Sequence, residues 1–129
     1  MIVVDASVLV EVLLRRADAP KIERLLFSGR VLHAPHLVDI EATQVIRRHV
    51  LMGEVDRARG REAINDLSDF PMRRHSHTSL LAPVWELRDN LTAYDAVYVA
   101  LAKALDAPLL TRDRRLAAAA GHHARIELV

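Results

Sequence analysis

The chain has 129 residues, 51% hydrophobic and 27% charged, a composition suited to one soluble globular domain with a sizeable core. It contains no cysteine, which excludes disulfides, thiol nucleophiles and cysteine-based zinc sites. Its 18 basic and 17 acidic side chains leave a net charge of +1, so bulk charge does not mark a nucleic-acid binder, and 4% aromatic content argues against a base-stacking platform.

The opening "MIVV" is apolar at every position, as expected of a strand covered on both faces of a parallel sheet. "SVLVEVLLRR" and "PKIERLLFSG" are helical in pattern, the second stopped at Gly29. "RVLHAP" is a short strand, followed by a helix from about Pro35 to Met52 and a charged helix over roughly 54–69. "MRRHSHTSL" holds a short strand leading into the helix "APVWELRDN", which begins near Pro83. "TAYDAVYVALAKAL" is a strongly apolar helix, "APLLTRD" a strand, "RRLAAAAG" a short helix and "ARIELV" a last strand. Strands separated by helices imply a single α/β domain over 1–129, with a mostly parallel sheet between helical layers. No basic leader, cleavable apolar stretch or membrane-length apolar run is visible, which leads us to expect a cytoplasmic protein with no membrane partner.

In such sheets, binding sites form beyond the carboxyl ends of the strands. Asp5 closes the first strand and Asp113 closes "PLLTRD". Each also suits the N-cap of the helix that follows, and Ser7 offers an alternative cap for the first. Glu41 shares a helix side with Leu37, Ile40, Gln44, Val45 and Arg48, bordering an apolar stripe where an unpaired charge is costly. An ion pair with Arg48 is the plain alternative, and Asp39 is expected to point elsewhere into solvent. Asp95 fits a capping box with Thr92, yet it opens a helix that should be buried on most faces. In an extended strand Thr111 and Asp113 face the same way.

Two unit negative charges about 5 Å apart repel by roughly 3 kcal/mol at an effective dielectric near 20. Four carboxylates in one crevice would therefore call for a cation, and oxygen-only donors favour magnesium or manganese. The histidines of "HSH" (75–77) and "HH" (122–123) lack zinc-site spacing and are expected to be surface or strand histidines. The arginine pairs at 15–16, 47–48, 73–74 and 114–115 suit phosphate, although a GC-rich genome that encodes arginine by default is the preferred account of most of them.

"VVDASVLV", the glutamate of "DIEATQVIRR", "NLTAYDAVYVALAKAL" and "PLLTRDRRL" together resemble the PIN-domain family, and within it the VapC-type ribonuclease toxins of bacterial toxin–antitoxin pairs. The resemblance spans almost the whole chain and is most specific in "LTAYDAVYVALA" and "LLTRDRRL". It implies an α/β/α sandwich and an acidic catalytic quartet of Asp5, Glu41, Asp95 and Asp113. It also implies supporting hydroxyls at Ser7 and Thr111. Metal ligands would be Asp5, Asp95 and Asp113, holding Mg²⁺ or Mn²⁺, with Glu41 acting through water or helping to deprotonate it. Arg112, Arg114 and Arg115 flank the quartet and could steer phosphates of an RNA substrate. The implied partners are a cognate antitoxin, a second copy of the chain, and operator DNA only through the antitoxin. The helices "SVLVEVLL" and "IERLLF" carry apolar surface that a second copy could cover. Residues 53–77 match poorly and are where target choice would differ.

Two other functions compete. A phosphoryl-aspartate enzyme would want a second acid two residues after Asp5, where this chain has Ser7. A catalytically silent module kept for antitoxin binding and operon autoregulation would be free to lose acidic positions, and all four are present.

Overall fold

The computed structural model describes residues 1–129. Five strands form one parallel sheet in the order β3-β2-β1-β4-β5, where β1 is Ile2–Val4, β2 Leu32–Pro35, β3 Arg73–His75, β4 Leu109–Thr111 and β5 Ile126–Leu128. Every pairing is parallel, with Val3 opposite His33 on one side and Leu109 on the other. The all-apolar β1 is central and completely buried, as its lack of alternation predicts.

The helices are α1 (Ala6–Leu13), α2 (Ala19–Leu26), α3 (Leu37–Leu51), α4 (Arg57–Ser68), α5 (Leu81–Glu86), α6 (Ala93–Ala104) and α7 (Arg114–Ala118). A 3₁₀ turn, Thr78–Leu80, leads into α5, so Pro83 falls in its first turn, where a missing N–H costs nothing. α1 to α4 pack on one another, while α6 lies with α5 and against β1, β2 and β4. Right-handed crossovers place the two groups on opposite faces, because the chain winds one way through β1, β2 and β3 and reverses to reach β4. The strand order therefore switches between β1 and β4, and the crevice beyond their carboxyl ends is where a site belongs.

Burial corrects one expectation. Seven of the eight α1 residues are buried within the single chain, as are Ala19, Ile22 and Leu26 of α2. Packing inside the chain consumes most of the apolar surface of these helices and leaves Phe27, at the end of α2, 55% exposed.

Asp39 is the second correction. It is not free in solvent: Arg74 of β3 reaches it with both Nε (2.7 Å) and Nη2 (3.0 Å), and Nη2 also donates to the Leu67 carbonyl at 2.7 Å. This fork ties β3 to α3 and α4. Arg74→Ala is expected to cost about 2 kcal/mol, because it strands a carboxylate and a half-buried carbonyl together. Urea melts with an unchanged m-value would show it.

Candidate active site

A cleft of about 590 Å³ opens at the switch point, lined by Asp5, Glu41, Asp95 and Asp113 together. All four predicted acids thus meet, although they come from four different segments. Asp5 follows β1 and caps α1, accepting from the Val8 N–H at 3.2 Å. Glu41 lies one turn into α3. Asp95 is in the first turn of α6, and Asp113 caps α7, accepting from the N–H groups of Arg115 and Leu116. The amino ends of α1, α3, α6 and α7 therefore gather at this edge, and their partial positive charge favours carboxylates there.

Asp5 is the most constrained, with 7% of its surface exposed. The Ser7 hydroxyl donates to Oδ1 and the Thr111 hydroxyl to Oδ2, both at 2.5 Å. Ser7 Oγ in turn accepts from the Arg112 N–H, and Thr111 Oγ1 from the Asp113 N–H. The two hydroxyls thus clamp Asp5 and stitch the first helix to the end of β4. Glu41 accepts from the Tyr98 hydroxyl, a partner the sequence did not suggest, and it makes no pair with Arg48. Asp95 and Tyr98 stand three residues apart on one helix, which is the signal that could have found this tyrosine. Only half of the expected capping box forms: the Asp95 N–H donates to Thr92 Oγ1.

Burial raises the pKa of Asp5, partly offset by the hydrogen bonds from Ser7 and Thr111. Burial also raises Glu41, against the Tyr98 hydrogen bond and with help from the Asp95 and Asp5 charges. For Asp95, burial and then the Asp113 charge act in the same direction. Neighbouring carboxylates thus act on Glu41 and on Asp95.

The flanking arginines diverge. Arg112 lines the cleft but is held by Asp18 at 3.0 Å and Glu11 at 3.9 Å. Arg114 and Arg115 lie outside the lining, although the Arg115 charge still favours ionisation of Asp95. Glu11 is a further acid in the cleft that the sequence did not single out, and it also pairs with Arg16 at 3.6 Å. His33 and His75 are strand histidines, joined Nδ1 to Nε2 at 2.8 Å outside the cleft.

No group of three acidic or histidine side chains stands close enough together to hold a metal ion in this arrangement. The donors are nonetheless all oxygen, and magnesium characteristically takes one or two carboxylates and keeps several waters. The second oxygen of Asp113 and both carboxylate oxygens of Asp95 accept no protein hydrogen bond, so they are free to serve. The donor set fits a hard cation.

A five-stranded parallel α/β sheet with an acidic cleft at its switch point is the frame into which known relatives fall. A protein-family model described as PIN domain matches residues 2–122, and the chain belongs to that family. Within it the kinship is with VapC proteins. Ribonuclease VapC1 of Mycobacterium tuberculosis is 43% identical over 128 residues, covering 98% of this chain and 96% of that protein. Among solved structures, Mycobacterium tuberculosis VapC20, described as a sarcin-ricin loop cleaving toxin, superposes with a TM-score of 0.70 at 18% identity, covering 92% and 94% of the two chains. VapBC2 of Rickettsia felis, bound to a DNA fragment from its promoter, gives 0.71 at 13% identity, covering 100% and 99%. At those identities the superpositions show the fold alone.

Proposed function

We propose that the protein is a metal-dependent endoribonuclease and acts as the toxin of a toxin–antitoxin pair. The observation that carries this is the meeting of Asp5, Glu41, Asp95 and Asp113 in one cleft at the sheet's switch point, in a chain 43% identical to a ribonuclease. Asp5, Asp95 and Asp113 would hold Mg²⁺ or Mn²⁺. The ion, when bound, supplies a more acidic water and neutralises charge on the phosphodiester. Ser7 and Thr111 fix the Asp5 carboxylate so that its geometry does not depend on the ion. Tyr98 holds one Glu41 oxygen and leaves the other to accept the proton of the attacking water. Chain cleavage needs no serine or histidine nucleophile. A cognate antitoxin, operator DNA reached only through it, and a homodimer complete the proposal. Light scattering should then give twice the 14.5 kDa chain mass.

Incubation of the purified chain with total RNA, followed by sequencing of the new ends, tests the activity. Absence of metal-dependent ends would favour the silent binding module. A sharper test concerns pH. The Tyr98 hydrogen bond opposes the burial that raises Glu41, so Tyr98→Phe lets the Glu41 pKa rise further. A general base must be ionised, so the acidic limb of the pH–rate profile is expected to move to higher pH in this variant, with the rate recovering on its alkaline side. An unmoved limb removes Glu41 from proton transfer.

A further inference from the structure

Two exposed side chains of the cleft, Tyr94 and Ile40, have no part in the chemistry above. Tyr94 precedes Asp95 in the first turn of α6, lines the cleft, and leaves 66% of its surface exposed. Nothing in the protein bonds to its hydroxyl. Tyr98, one turn on, shows the contrast: it is buried and holds Glu41. Packing accounts for Tyr98 but not for Tyr94. Across the cleft, Ile40 of α3 is 69% exposed. Single exposed apolar side chains are ordinary, but here two walls of one acidic cleft each leave one in water.

The second feature is the state of the cations in the cleft. Arg16 and Arg112 are both occupied by Glu11, and Arg112 by Asp18 as well. Arg48 lines the same cleft with no carboxylate partner. It stands seven residues beyond Glu41 on α3, which carries it about 10 Å along the helix axis from the catalytic end. Five acids line this cleft, so a polyanion is repelled from it unless a cation away from the carboxylates holds the strand. Arg48 is the cation left free to do so.

We propose that the cleft is a track for one RNA strand, in which Tyr94 stacks on a base beside the scissile phosphate and Arg48 holds a phosphate further along. Aromatic faces alternating with arginine are how single strands are gripped without base-edge hydrogen bonds. The bulk aromatic content misses this because one ring suffices when it stands at the right place. The track rests on the ribonuclease function of this same site and adds the direction in which the strand runs: base contact at the α6 wall, backbone contact towards the carboxyl end of α3.

Binding of a short single-stranded oligoribonucleotide, followed by fluorescence anisotropy in the Asp113→Asn background so that the strand stays whole, tests it. Tyr94→Ala is expected to weaken binding about tenfold, and Tyr94→Phe, which keeps the ring, to restore what is lost. Arg48→Gln should reduce the slope of log affinity against log salt by about 0.7, the value for one phosphate contact on a single strand. Scanning an abasic site and a neutral methylphosphonate linkage along the oligonucleotide should find one base whose removal abolishes the Tyr94→Ala effect. One linkage, at a fixed offset from that base, should abolish the Arg48→Gln effect. Unchanged affinity in both variants, with the parent binding normally, overturns the track and leaves the ribonuclease function standing. An effect of Tyr94→Ala on a protein inhibitor but not on RNA also overturns it. A parent that binds no RNA overturns both.

Discussion

Asp113→Asn is expected to lower RNA cleavage by about a thousandfold while leaving the domain folded. Its Oδ1 caps α7 through the Arg115 and Leu116 N–H groups, and an asparagine carbonyl oxygen can keep both bonds. Its other oxygen accepts nothing from the protein, so the substitution removes charge from the cleft and little else. Asp5→Asn should abolish activity as fully but is a less clean variant. Both Asp5 oxygens accept hydroxyl hydrogens, and an amide NH₂ facing Ser7 or Thr111 forces a hydroxyl to turn. Rates from a labelled RNA, beside circular dichroism melts of each variant, make the comparison. Wild-type cleavage by folded Asp113→Asn would end its role as a ligand.

Chelation is expected to stop cleavage completely, and Mg²⁺ or Mn²⁺ to restore it. The same ions should stabilise the fold. At a concentration one hundred times Kd, a ligand of the folded state alone adds about 2.7 kcal/mol, roughly 8–10 °C for a domain of this size. Calcium should also raise the melting temperature yet support little turnover, since its looser coordination places water poorly. The sign of the pH dependence follows from the raised carboxylates. Asp5, Glu41 and Asp95 hold their protons more tightly folded than unfolded. Their contribution to stability is complete below the ordinary carboxylate range and is lost as pH rises through the raised values. A bound cation favours the ionised forms and reverses this, so metal affinity should fall on acidification. Melting in chelator and in Mg²⁺ across pH 4–8 should give curves that diverge as pH rises. Full activity in excess chelator would end the metal-dependent function.

The acids were legible because each sits where local pattern is strong. Asp5 and Asp113 end apolar strands, and Asp95 follows a helix-capping threonine. The sheet could be anticipated from β1, whose unbroken apolar run suits only a strand covered on both faces. What stayed hidden is pairwise. The Arg74–Asp39 fork joins residues 35 apart in sequence and the Tyr98–Glu41 bond residues 57 apart. Periodicity assigns a side chain to a face of its own helix but does not say what another element brings to that face. For the same reason Arg48 looked like a partner for Glu41, and Arg112 looked free when Glu11 and Asp18 hold it. An acid inside "SVLVEVLL" reads as a break in an apolar run, whereas in the fold Glu11 is a hub for Arg16 and Arg112.

The clamp on Asp5 has a consequence for the order in which the chain is made. Thr111 lies 106 residues after the carboxylate it holds, and β1 finds its β4 neighbour only at the far end of the sequence. Contacts of such long range form late, after the entropy of closing the loop has been met. On the ribosome, a nascent chain short of Thr111 and Asp113 carries Asp5, Glu41 and Asp95 without the strand that completes their site. The growing polypeptide should therefore lack its complete acidic cleft until β4 and Asp113 have emerged.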